Sequence, residues 1–399
     1  MGDSEQAIIH IVDSLASVEA EHWDACANPP GEPVNPFVSY AFLSALEESG
    51  SATRHTGWLP QHVLLKDDRG ALAGCMPLYL KSHSRGEYVF DHGWANAFEN
   101  AGGNYYPKLQ CSVPFTPATG PRLLVPPGPA RDAAEYALMA GAVEFCKRLG
   151  VPSFHVTFPT ERQWVRLGQH GFLQRTDQQF HWHNRGYRSF DDFLSALSSR
   201  KRKMIRKERE RARDNGISIE WVTGDKLTED HWDAFYAFYM DTGARKWGTP
   251  YLTREFFSLI GERMADETLL VMARREGRFI AGALNFIGGD AVYGRNWGAL
   301  EHHPFLHFEC CYYQAIEFAI HRGLARVEAG AQGEHKLARG YLPSRTYSAH
   351  WIANASFREA VAEYLSRERE YVDRDIAALG EYAPFRHDSG KNEHQEDDF

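Results

Sequence analysis

The chain repeats itself. His22-Trp23-Asp24-Ala25 recurs as His231-Trp232-Asp233-Ala234, an offset of 209 residues. The run from Asn35 to Glu48 returns as Thr249 to Glu262 at an offset of 214, and Ala73-Gly74 falls over Ala281-Gly282 at 208. A helical segment ending at Gly150 matches one ending at Gly323, at 173. The order is the same in both copies, so one unit is expected twice. The length of 399 residues is consistent with two domains of ordinary size. The fall in offset leaves about 35 extra residues in copy one. They lie within residues 87–131, rich in Tyr, Trp, Gly and Pro, and read as a functional loop rather than a linker.

Each copy shows one coarse order. A helix follows the HWDA segment and a Pro-started helix comes next. Two strands then meet at a tight turn, Asp67 to Gly70 or Glu276 to Arg278. A further strand leads to a long helix, about 132–149 or 308–321, ended by Gly150 or Gly323. Another strand follows, SFHVTF or RVEAG, and in copy one a short helix precedes the alternating segments FLQR and QFHWHN. This pattern predicts an α/β fold on a mixed sheet.

The expected division is a first domain over 1–188, a linking helix over 189–216, a second domain over 217–355, a C-terminal helix over 356–380 and a disordered-looking tail over 381–399. The linking helix opens on a capping box, Ser189 with Asp192, and ends at Gly216. Nine Lys/Arg and two Glu between Arg200 and Arg213 give it a net +7. The whole chain carries −9, so nonspecific binding to nucleic acid or anionic lipid is not expected outside that patch.

No run approaches the roughly 20 apolar residues of a membrane span, and the acidic N-terminus lacks the features of a signal peptide. Six scattered cysteines without CxxC spacing read as reduced thiols. A cytoplasmic protein is expected. The zinc alternative, His302, His303 and His307 with His335, fits no structural zinc spacing, and no metal is expected.

A duplicated α/β unit of this kind resembles the acyl-CoA N-acyltransferase (GNAT) fold in tandem. The blocks FLHFECCYYQAIEFAIHRGLARVEAGAQGEHKLARGYLPSRTYSAHWI, FDHGWANAFENAGGNYYPKLQ, PFTPATGPRLL, SSRKRKMIRKER, TGARKWGTPYLTREFF and YGRNWG resemble the FemAB-like family of tandem acyltransferases, over about Asn35 to Ile352. The resemblance implies transfer of an activated acyl group to an amine. In this family the donor is aminoacyl-tRNA for the Fem relatives and acyl-CoA for other tandem GNAT proteins. It implies two parallel strands that splay apart, their free backbone amides holding a pantetheine-like arm.

Acyl transfer needs a base for the incoming ammonium, a donor to the developing oxyanion, cations or helix N-terminal amides for phosphates, and a cleft that excludes water. In copy two the splayed strands are AVYGRNWG and RVEAG. The loop from Ala299 to His307 and the segment from Gly330 to Lys336 then converge at the strand ends. The expected base is His335 or Glu309, with the other one orienting it. Lys336 and Arg339 are expected on anionic groups, Arg295 and Trp297 on the wall, and Glu334 beside the substrate. Glu309 also suits a helix N-terminus, and His335 an exposed loop. Cys310-Cys311 read as core. Tyr105, Tyr106 and Lys108 either pack or reach over the cleft. The basic helix is a solvated face, a CoA phosphate site through Arg202, Arg206 and Arg209, or a tRNA surface.

The leading expectation is an N-acyltransferase moving an acyl group from acyl-CoA or an acyl-carrier thioester onto a small-molecule or peptide amine by direct attack. The rivals are an aminoacyl-tRNA-dependent ligase of the Fem type and a noncatalytic binding protein. Partners implied are therefore an amine acceptor and either an acyl-carrier protein or tRNA.

Overall fold

The computed structural model describes residues 8–246, 250–330 and 333–386. The first half runs β1 (Ile8–Val12), α1 (Ala20–Ala27), α2 (Tyr40–Glu48), β2 (Trp58–Pro60), β3 (His62–Lys66), β4 (Leu72–Met76), β5 (Leu78–Lys81), α3 (His92–Asn100), β6 (Lys108–Cys111), α4 (Arg131–Leu149), β7 (Ser153–Thr157), α5 (Glu161–Gln169) and β8 (Leu173–His183). α6 (Phe190–Ala196) and α7 (Ser199–Ala212) link the halves. The second half runs β9 (Ser218–Val222), α8 (Glu229–Lys246), α9 (Arg254–Arg263), β10 (Thr268–Arg275), β11 (Arg278–Ile287), β12 (Ala291–Ala299), α10 (Leu306–Phe308), a π-helical stretch (Glu309–Tyr313), α11 (Gln314–His321), β13 (Arg326–Glu328), β14 (Leu342–Ile352) and α12 (Ala355–Glu381).

The duplication is visible in the elements. Ser39 caps α2 by accepting from Phe42 N, and Thr253 caps α9 by accepting from Phe256 N. Gly150 and Gly323 end matching helices, both at φ +65°, a conformation that favours glycine. The halves differ where proline intervenes. Pro77 has no N–H for the ladder, so the strand breaks into β4 and β5, whereas its counterpart β11 runs unbroken. The break sends β3 and β4 into a three-stranded sheet with β1, while β2 and β5 join the main sheet.

The main sheet has eleven strands in the order β2-β5-β6-β7-β14-β8-β13-β12-β11-β10-β9. Its centre is an exchange. β14, the last strand of the second half, lies between β7 and β8 of the first, and β8 in turn pairs with β13. One aromatic core spans the halves: Phe37 meets Phe286 at 5.3 Å and Tyr293 at 5.0 Å, and Phe42 meets Phe256 at 5.7 Å, all edge to face.

Three findings refine the sequence reading. The linking segment is two helices, not one, because Leu197 is extended and bridges Phe385. Residues 382–386, expected in the tail, thus run back to the linker, with Ser198 N donating to Pro384 O at 2.9 Å. The remaining tail, 387–399, lies outside the described residues. Within 87–131, Lys108–Cys111 forms β6, a strand of the main sheet parallel to β7. Among the described residues no helix is long and apolar enough to cross a membrane.

Candidate functional site

β12 and β13 pair in parallel over Ala291–Tyr293 and Arg326–Glu328 only. β12 continues to Ala299, and among the described residues no strand pairs with its edge on this side beyond Tyr293, at the carboxyl ends of two parallel strands. α8 packs closely on β12, where a Cβ on Gly298 would come within 2.3 Å of the Phe238 backbone. A cavity of about 450 Å³ adjoins the opening at the start of α10, lined by Thr242, Arg245, Trp297, His302, His303 and Phe305. Trp297 lines this cavity. Arg295 does not: its guanidinium donates to Phe115 O of the first half and lies 5.8 Å from the Phe37 ring. Phe115 in turn stacks on Tyr251 at 4.8 Å.

The two candidate bases are not paired. Glu309 is wholly buried, and its carboxylate accepts from Arg209 Nη2 at 2.9 Å, Arg213 Nη2 at 3.1 Å and Gln314 Nε2 at 2.7 Å. His335 is exposed, and its Nε2 lies 2.9 Å from the hydroxyl of Tyr312. Partial desolvation and the charges of Arg339 and Lys336 lower its pKa, which favours the neutral imidazole, the form able to accept a proton. Lys336 is buried, donates to Gly330 O at 2.9 Å and is pushed down to about 8 by burial. Arg339, expected on an anionic ligand, instead donates to both oxygens of Glu208 on α7 at 2.8 and 3.0 Å. The side chain of Glu334 lies outside the described residues.

The basic helix is partly explained by these pairs. Arg209 binds Glu309 and Glu317 (2.5 Å), so it does not face a donor phosphate. Arg206 pairs with Asp191 at 3.0 Å, and Arg202 Nη2 donates to Ser199 Oγ at 3.4 Å. Arg200, Lys203, Lys207 and Arg211 are exposed.

A second cavity, about 680 Å³, lies at the strand exchange. Its floor is β8 and β14, with Arg175, Asp177 and Gln179 alternating on one and Thr346 and Ser348 on the other. Residues Ser84 to His92 and Tyr251 form its sides. The aromatic insert thus contributes Tyr88 and Phe90 to a cleft between the halves. Tyr105 and Lys108 instead pack beneath it. Lys108 Nζ donates to Ser84 at 2.9 Å, to Glu87 at 2.7 Å and to Asp91, and Tyr105 donates to Asp91 at 2.7 Å. All three ammonium donors are engaged, which is what a fully buried lysine requires. Tyr106 bonds Ser84 at 2.8 Å.

Sequence reasoning missed Arg175, Asp177, Gln179 and Ser348. The signal was the period-2 alternation of QFHWHN and its neighbours, which marks a strand but not which face meets a cleft. Among the described residues no three His, Cys, Asp or Glu side chains group as a metal site. Cys310 is buried and its thiol is raised well above its ordinary range by desolvation, consistent with core.

The fold is the duplicated GNAT fold. Of solved structures, FemX matches with a TM-score of 0.54 at 12% identity, covering 86% of this chain and 98% of its own. The C-terminal domain of a putative lysylphosphatidylglycerol synthetase from Agrobacterium fabrum matches at 0.53 and 9%, covering 87% and 95%. A conserved protein of unknown function from Bacteroides thetaiotaomicron matches at 0.50 and 11%, covering 87% and 100%. No curated protein matches the chain. The FemAB-like family, described by peptidoglycan biosynthesis and recognition, matches residues 14–387. With nearly its whole length inside that match, the chain belongs to the FemAB-like family.

Proposed function

We propose that the chain is an N-acyltransferase whose donor, acyl-CoA or an acyl-carrier thioester, lies along the opening between β12 and β13, and whose amine acceptor enters the cleft at the strand exchange. The observation that carries this reading is the edge of β12 beyond Tyr293, with which no strand pairs on this side among the described residues. Backbone groups there suit a pantetheine-like arm, and the adjoining cavity at the start of α10 offers the exposed His302 to its phosphates, Arg245 being paired with Asp241 and His303 with Glu301. The amine attacks the thioester carbonyl directly. His335 takes the ammonium proton, and the Tyr312 hydroxyl fixes the ring. Glu309 orients α7 rather than His335.

A melting shift with acetyl-CoA and longer acyl-CoAs tests donor binding. His335→Ala is expected to fold normally and lower turnover by ~10²–10⁴; wild-type turnover in that variant removes His335 from the mechanism.

A second reading, an aminoacyl-tRNA-dependent ligase acting on a peptidoglycan peptide, is favoured by the family description. The exposed cations of α7 are its candidate surface. Filter binding of total tRNA across salt separates the two, since each neutralised phosphate adds nearly ~1 to the log–log slope.

A further inference from the structure

Four buried side chains cross the seam between β7 and β14 in one line. Ser348 Oγ lies 3.0 Å from His350 Nε2, His350 Nδ1 lies 2.7 Å from His155 Nδ1, and His155 Nε2 lies 2.7 Å from Ser153 Oγ. His350 and His155 are direct cross-strand partners. Ser348 alone of the four lines the cleft.

Proton counting fixes the direction of this line. Burial and the cations of Lys108 and Arg175 lower both histidines, so each imidazole is neutral and has one N–H and one acceptor nitrogen. The Nδ1–Nδ1 contact then admits two arrangements. In one, Ser348 donates inward, His350 donates to His155, and His155 Nε2–H donates to Ser153. That leaves the Ser153 hydroxyl proton without an acceptor: Ser153 is 1% exposed, and among the described residues its hydroxyl has no other polar partner. In the other, Ser153 donates to His155, His155 Nδ1–H to His350, and His350 Nε2–H to Ser348. Every buried proton is then satisfied, and the Ser348 hydroxyl proton is the one left over, directed into the cleft.

We propose that Ser348 is a hydrogen-bond donor built into the cleft floor for a neutral carbonyl oxygen of the acceptor substrate. The surroundings select that chemistry. An anionic group on the floor would need a cation there, and the floor's Arg175 is engaged by both oxygens of Glu368 at 2.7 Å and by Phe90 O at 2.9 Å, while Arg85 lies exposed on the side of the cleft. Asp177 shares the floor and repels anions while favouring an ammonium. One neutral donor near one carboxylate matches an amine that carries an amide or ester carbonyl, as a peptide or aminoacyl amide does. This deepens the acceptor reading of the cleft given above and rests on it.

The direct test is the tautomer of each ring. In uniformly ¹⁵N-labelled protein, long-range ¹H–¹⁵N correlation spectra assigned with His155→Gln and His350→Gln are expected to show His155 protonated at Nδ1 and His350 at Nε2. The opposite pair of tautomers overturns the proposal. A second arm uses transfer from acetyl-CoA to glycylglycinamide. Ser348→Ala is expected to raise the KM for the amide about tenfold, the loss of one hydrogen bond, with the donor KM unchanged. An unchanged amide KM overturns the proposal. If the wild-type chain transfers to no amine, the acyltransferase reading falls, and the tautomers alone decide the direction of the relay.

Discussion

Glu309 shows how one residue's role depends on residues far away in the chain. Its position in an apolar run made burial legible in the sequence, and burial of a carboxylate suggested catalysis. What the run could not show is that Arg209 and Arg213, about a hundred positions earlier, reach the same oxygens. The i, i+4 spacing of arginines on α7 marked a basic face but not its acidic counterpart. Glu309→Gln is therefore expected to cost stability first. An amide offers one oxygen to donors that now bind two, and Arg209 is left partly buried with only Glu317 as a charged partner. The expected loss is about 2–3 kcal/mol, read from the urea midpoint. A variant with an unchanged midpoint and reduced turnover would return Glu309 to the catalytic group.

At the scale of elements, the seam of β7 and β14 sets a pH dependence. Burial pushes His155 down to about 3 and His350 well below its ordinary value. Facing the pair are Lys108 and Arg175, which disfavour protonation, and Asp91, which favours it, together with Ser153, Ser348 and the Trp94 and Tyr105 rings. The unfolded chain protonates histidine near ~6.5, while the folded seam refuses the proton. The stability this contributes is complete above that value and falls away as pH drops toward the folded pKa. Urea midpoints are expected to decline between pH 6.5 and 4, and His155→Gln or His350→Gln to flatten that decline. Equal slopes in variant and wild type would show that the pair titrates normally. Two of the strands were legible, since SFHVTF and QFHWHN read as strand segments, whereas SRTYSAHWI, which forms most of β14, was not read as one. Their pairing was not, because alternation states which residues share a face and says nothing about which strand lies beside which. The opening strands β1 and β9 also went unread, being five-residue segments ahead of the HWDA landmark.

The whole molecule is a duplication whose halves close each other. The repeat offsets exposed the duplication, but an exchange leaves no trace in offsets, because β14 keeps its place in the chain order while lying in the other half's part of the sheet. β7 has β14 as its neighbour opposite β6, and β8 lies between β14 and β13, so residues 1–188 alone would leave β7 and β8 with bare edges. The same piece would expose Phe37 and Phe42, which pack on Phe286, Tyr293 and Phe256 of the second half. At roughly 1.5–3 kcal/mol for each large apolar side chain buried, these contacts are comparable with the net stability of an ordinary domain. The 1–188 piece is therefore expected to be insoluble or unfolded alone and to be recovered when coexpressed with 189–399. The intact chain is expected to unfold in a single calorimetric transition, with calorimetric and van't Hoff enthalpies in agreement despite a length at which separate domain transitions are common. Two resolved transitions, or a stable 1–188 fragment with native-like circular dichroism, would show that the exchanged strand is dispensable and that each half closes its own core.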